Sequence, residues 1–186
     1  MTKTQNQPWS KVQWTESNQI LRLLDRDEAE IAAMPRDVAE CHRAYLAQGR
    51  APEAISYLAM ALPRFEAVRW GCLFLDEMSR IDGLARPEQQ ALDSVQRWVG
   101  EPIEAYRRAA FAASQLARED SPERMIALAA FFSGGNVSSP DLEPVEPPPH
   151  AAGRFAGVAV LGAAYRKGPD AERAARALQM GLEHAH

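Results

Sequence analysis

A chain of 186 residues can bury a core in one domain without disulfide or metal staples. Its 46% apolar and 25% charged content is globular composition, which excludes an intrinsically disordered chain. A net charge of −4, with no basic stripe and no interleaving of aromatic and basic residues, argues against nucleic acid as a partner.

Residues 1–15 form a polar N-terminal tail carrying Trp9 and Trp14, with no apolar run of the signal-peptide kind. The two indoles either dock the tail onto the core or wait for a partner, and both are candidate partner-binding residues. Residues 16–186 read as a single helical domain, with a first short helix over Asp27–Met34. From there prolines punctuate the chain. Pro35, Pro52, Pro63, Pro87, Pro102, Pro122 and Pro169 each precede a run with helical spacing, and an acidic residue follows within a turn, as the helix dipole favours. The spacing predicts helices over 36–48, 52–62, 64–80, 87–98, 102–118, 122–132, 151–166 and 170–184. Ser121 is a candidate cap, and Gly49, Gly83, Gly100 and Gly168 fall in the connections.

No segment alternates as a strand would, so the expected fold is all-α. It is a compact irregular bundle of about eight helices packed as antiparallel hairpins through short connections. Ala54–Met78 is rich in large apolar residues on both sides of the break at Pro63. Its second half, with Trp70, Leu73, Phe74 and Leu75, is expected to be the most buried element. Gly153, Gly157 and Gly162 allow a second central helix to pack closely against 64–80. The weakly polar run Phe155–Tyr165 is too short for a membrane span, which needs about 20 residues. No membrane association and a cytoplasmic location are therefore expected.

Residues 133–150 depart from the helical pattern and hold five of the thirteen prolines. Gly134-Gly135-Asn136 should end the preceding helix in a left-handed turn, and the prolines favour extended polyproline II. The expectation is a Pro-rich strap loop across the bundle, with Val137, Leu142 and Val145 tucked inward. Pro144, Pro147, Pro148 and Pro149 are the partner-binding candidates, because Pro144-x-x-Pro147 resembles an SH3-type ligand, although its flanks are acidic.

Little in the chain points to chemistry. His42, His150, His184 and His186 read as surface or terminal residues without metal-ligand spacing. Cys41 and Cys72 read as buried free thiols. Cys41 and His42 are adjacent on a helix and point about 100° apart, so they do not make a catalytic pair. Asp76-Glu77 reads as a solvated helix end. Ser133-Gly134-Gly135 lacks the lysine and the strand of a phosphate loop. No catalytic residue, cofactor or metal site is expected.

Three motifs occur in order: ALP-x-x-EAV-x-W at Ala61–Trp70, WVGEP at Trp98–Pro102, and an F-x-SGG…P-x-L-x-x-V-x-PPP loop ending at Pro149. Together they resemble an uncharacterised bacterial all-helical domain family often encoded near type VI secretion genes. The resemblance implies a non-enzymatic protein-interaction factor: an accessory, adaptor, chaperone or immunity protein whose partner is a secretion-system component or effector. The alternatives are a small-ligand or enzymatic domain, with a pocket between the central helices drawing on Tyr57, Arg69, Tyr106 and Arg107, and a self-assembling structural subunit.

Overall fold

The structure is a computed structural model describing residues 9–139 and 141–186, and among these every regular element is an α-helix. Chain order is α1 (Ser17–Leu23), α2 (Glu28–Ala33), α3 (Val38–Ala47), α4 (Ala51–Ala61), α5 (Arg64–Asp82), α6 (Arg86–Gly100), α7 (Glu104–Ser114), α8 (Pro122–Phe131), α9 (Ala151–Ala164) and α10 (Ala171–His184). No helix in the described residues is long and apolar enough to cross a membrane.

Proline and side-chain caps set most of the starts. Pro52, Pro87 and Pro122 lie in the first turns of α4, α6 and α8, where a missing N–H costs nothing, and Pro63 caps α5. The residue before Pro63 is forced extended, so Leu62 (φ −69°, ψ 149°) ends α4. Asp27, Asp37, Ser121 and Asp170 each accept a hydrogen bond from a backbone N–H in the first turn. Gly49 and Gly83 leave α3 and α5 at φ +71°, which a glycine adopts without steric cost. Gly100, by contrast, is the last residue of α6.

α1 adds to the expected helices. Its seven residues are too short to show a helical period, and a capping box specifies it instead: the Gln19 side chain accepts from the Glu16 N–H at 3.0 Å. α7 stops at Ser114 rather than 118.

The centre is α9, which packs against α4, α5 and α8. A Cβ on Gly153 would lie 2.8 Å from the Ala59 carbonyl oxygen, and one on Gly157 would lie 3.2 Å from the Ala59 Cβ. α9 therefore approaches α4 at a distance that only glycine permits. The hairpin expectation holds for α3–α4 and α6–α7 but not for α4–α5: these consecutive helices diverge at Pro63, and α9 and α10 pack against both. α5 is also not the most buried element. Seven of the eleven residues of α4 are buried against eight of nineteen in α5, whose outer face leaves Leu73 44% and Ile81 62% exposed. A helix of that length outruns the core it crosses.

The loop 133–150 is held differently from the expected apolar strap. Leu142 and Val145 are exposed, at 61% and 53%. Polar contacts hold it instead. Arg107 donates to the carbonyls of Phe131 and Asn136 (2.7 Å for the latter), and Arg108 donates to those of Asn136 (2.8 Å) and Ser138 (3.1 Å). The Asn136 Oδ1 accepts from the N–H groups of Ser138 and Val145, both at 2.9 Å. Gly135 makes the predicted left-handed turn (φ +67°), and a Cβ there would lie 3.1 Å from the Arg107 guanidinium.

Candidate functional site

α4 ends at a proline, so its last carbonyls have no intrahelical donor. The described part of the N-terminal tail supplies them. The Trp14 indole Nε1 donates to the Met60 carbonyl at 2.7 Å, and the Gln13 N–H donates to the Ala61 carbonyl at 2.8 Å. At the far end of α10 the N–H groups of Ser10 and Lys11 converge on the Ala185 carbonyl, at 2.9 and 3.0 Å. The Gln13 side chain reaches the Pro149 carbonyl at 3.2 Å. Residues 9–15 are thus bound along their length to the helical body.

Between this segment and α3 an open groove of about 490 Å³ remains, lined by Trp9, Val12, Trp14, Val38 and Ala39, with Asp37, Glu40 and Arg43 at its edge. Trp9 and Trp14 are half-buried. Behind Trp9 stands His42, with ring centroids 5.1 Å apart. His42 is 1% exposed and its Nε2 has no hydrogen-bond partner among the described residues. Burial, with a smaller contribution from the charge of Arg43, lowers its pKa from 6.5 to about 4, so the ring is neutral near pH 7. The reading of His42 as a surface residue is corrected here: its helix face turns into the core beside Tyr57. A periodicity test would have found it, since Val38 and Tyr45 on the same face are buried.

The tail tryptophans and the proline run, separate candidates in the sequence, meet through Gln13 and Pro149. Within the run Pro147 is buried, while Pro144, Pro148 and Pro149 are exposed. An SH3-type ligand presents both prolines of its motif, and only Pro144 of this pair is free to be presented. Tyr57, Arg69, Tyr106 and Arg107 do not converge: Tyr57 is buried beside Tyr45 and His42, Arg69 is exposed on α5, and Arg107 is committed to the loop. The α5–α8–α9 junction is packed, with Ile126 Cδ1 2.5 Å from where a Cβ on Gly71 would stand.

Two further sequence readings change. His184 is the last residue of α10 and lies 2.7 Å from Glu66 (Nδ1 to Oε2), so it is anchored rather than frayed. Asp76 and Glu77 do not end α5. Asp76 accepts from Gln96 at 2.9 Å, and Glu77 binds Arg176 at 2.7 Å. Cys41 and Cys72 are buried free thiols as expected, and burial raises the pKa of both. Sequence reasoning missed the ion pairs of the buried carboxylates altogether. Asp82 is held by Arg173 (2.7 Å) and Lys167 (2.8 Å), Glu123 by Arg166, and Glu88 by Arg118 (3.1 Å). Their partners lie 30 to 91 residues away, beyond any local signal.

These elements can be set beside known proteins. A model for a family of unknown function, DUF6931, matches residues 42–185. The chain belongs to the DUF6931 family. No curated protein and no solved structure matches it. The DUF6931 span runs from His42, within α3, to the end of α10. It therefore contains the whole α4–α10 body, together with the Arg107–Asn136 junction. The tryptophan groove sits at its boundary: Trp9, Trp14 and Asp37 precede the matched span, and Arg43 lies within it.

Proposed function

We propose that this DUF6931 protein is a non-enzymatic protein-interaction factor, acting in the cytoplasm as an accessory, adaptor, chaperone or immunity protein of a bacterial secretion system. The groove of Trp9, Trp14 and α3 is its contact surface. The observation that carries the reading is that both indoles are fixed from behind, Trp14 by the Met60 carbonyl and Trp9 by His42, while the groove in front of them is open. A rigid aromatic surface loses little conformational entropy on binding and is the usual seat of binding energy in protein interfaces. Further support comes from the buried charges: Asp82, Glu88, Glu123 and Arg107 are each engaged by a group of this same chain, in roles that join helices. The secretion link rests on the motif resemblance alone.

The test is affinity capture from the native host with mass spectrometry, comparing the natural protein with Trp9→Ala. The Trp9→Ala variant strips the groove but leaves the Trp14–Met60 bond. Recovery of secretion-system proteins by the natural chain, reduced at least tenfold by Trp9→Ala, supports the proposal. Equal recovery by both removes the groove from the reading, and recovery of no specific protein removes the interaction role.

A further inference from the structure

The two ends of the segment ahead of α1 are held differently. At the Trp14 end, the indole bond to Met60 and the Gln13 N–H bond to Ala61 tie it to the core helix α4. At the other end Trp9 makes no hydrogen bond among the described residues, and its indole rests on the His42 ring at 5.1 Å between centroids. The bonds beside it, from Ser10 and Lys11 to Ala185 and from the Ser10 hydroxyl to the His186 carbonyl (2.8 Å), reach only the two residues that follow α10.

The seat of His42 suits a neutral ring alone. The residue is 1% exposed, and its Nε2 is buried without a partner among the described residues. A protonated imidazole carries an N–H on both nitrogens, and the one on Nε2 would meet no acceptor. On its own helix the neighbours are Cys41, a buried thiol, and Arg43, whose charge repels a second cation. Glu40 is exposed and pairs with Arg43 at 3.8 Å, and Glu30 is taken up by Tyr45 and Arg50. α4 brings Tyr57, a buried phenol that is itself unpartnered among the described residues. The N-terminal segment brings Trp9, and its one described charged side chain, Lys11, is an exposed cation.

We propose that the Trp9–His42 contact is an acid-operated latch on the tryptophan groove: a proton on His42 unseats Trp9 and removes one wall of the groove, while Trp14 stays in place. A buried cation without a partner must reach water. Of the two elements stacked on the ring, α4 belongs to the core, and the N-terminal segment is the one that can open locally. Lifting Trp9 leaves the Trp14–Met60 bond intact. Burial holds the His42 pKa at about 4 in the docked state, against 6.5 for the free side chain. Docking of Trp9 therefore weakens as pH falls through that window, by about 30-fold between pH 8 and pH 5. As regulation, the latch rests on the reading of the groove as the contact surface.

Two-dimensional NMR on the full chain, from about pH 8 to about pH 4.5, follows the indole N–H of each of the four tryptophans beside the His42 ring. The Trp9 signal should move toward the free-indole position together with the His42 titration, while those of Trp14, Trp70 and Trp98 hold. In His42→Phe, and in His42→Leu as a second neutral replacement, Trp9 should stay in place over the same range. Circular dichroism checks that each variant is folded. A Trp9 signal unmoved across the range overturns the latch. So does one that moves as far in the neutral variants, or one that leaves only together with Trp14. The measurement needs no partner, so its failure leaves the groove as a contact surface untouched, and failure to capture a partner leaves the latch untouched.

Discussion

The indole Nε1 of Trp70 donates to the backbone carbonyl of Ala177 at 2.9 Å, joining the middle of α5 to the middle of α10 inside the core. Trp70 is fully buried, and a Cβ on Gly181 would stand 2.7 Å from its ring. The same residue thus supplies apolar volume and gives a mid-helix carbonyl a second donor. Trp70→Ala is expected to cost about 3–5 kcal/mol, the range for deleting a large buried aromatic. Trp70→Phe keeps much of the volume and loses the donor, costing about 1 kcal/mol for the lost hydrogen bond, since the Ala177 carbonyl keeps its bond within α10. Urea melts of both variants check the order; a loss for Trp70→Ala under about 1 kcal/mol contradicts the packing described.

Arg107 decides whether the loop 133–147 stays on the bundle. It is 4% exposed, stacks over Phe131 with its guanidinium carbon 4.8 Å from the ring centroid, and donates to Asn136 and Glu104. Arg107→Met fills the space but leaves the Phe131 carbonyl without its donor, while the Asn136 carbonyl keeps that of Arg108. The expected cost is about 1–3 kcal/mol for the one unsatisfied buried acceptor. Limited proteolysis should leave the natural protein uncut between Val137 and Glu146 and cut the variant there. Equal resistance in both would show that the prolines alone fix the loop.

Gly153→Ala tests the closest approach of the two central helices. The new methyl would meet the Ala59 carbonyl oxygen at 2.8 Å, and a backbone oxygen cannot rotate away. α4 and α9 must separate, at a cost of about 1–3 kcal/mol for overpacking. Thermal unfolding should show the loss. Gly134→Ala, which meets nothing within 4 Å, should leave the melting temperature near that of the natural protein.

Acid sensitivity should begin above the carboxylate range because of His42. Its folded pKa is about 4 against 6.5 for the free side chain. Between those values the unfolded chain binds a proton that the folded chain does not, so stability falls as pH drops from about 6.5 toward 4. The shift corresponds to about 3 kcal/mol at 1.36 kcal/mol per unit. A second loss should follow below about 4.5. Glu77 and Asp82 have lowered folded pKa values through their bonds to Arg176 and Arg173, and their stabilisation disappears as they protonate. Equilibrium urea unfolding at a series of pH values reads both phases. His42→Phe should flatten the first and leave the second; an unchanged profile in that variant would place the titrating group elsewhere.

Helix positions were legible because their causes are local. Pro52, Pro63, Pro87 and Pro122 act on their own backbone. Asp37, Ser121 and Asp170 reach donors three residues away, and Gly135 turns the chain wherever its neighbours lie. All-helical character followed from the spacing of apolar residues along single segments, and so did the role of 151–166 as a second central helix. α1 escaped because seven residues hold too few turns to show a period.

Only the tertiary structure decided which residues meet. Arg107 and Asn136 are 29 residues apart, Asp82 and Arg173 are 91, and Trp14 and Met60 are 46. No helical period relates such positions; they meet only when the helices and loops pack together. The same reason explains why Trp9 and Trp14 could be suspected from sequence as partner-binding residues, while the groove could not. Its second wall is α3, which packs on α4, and the N-terminal segment comes to lie beside it by capping the carbonyls left free where α4 ends at Pro63.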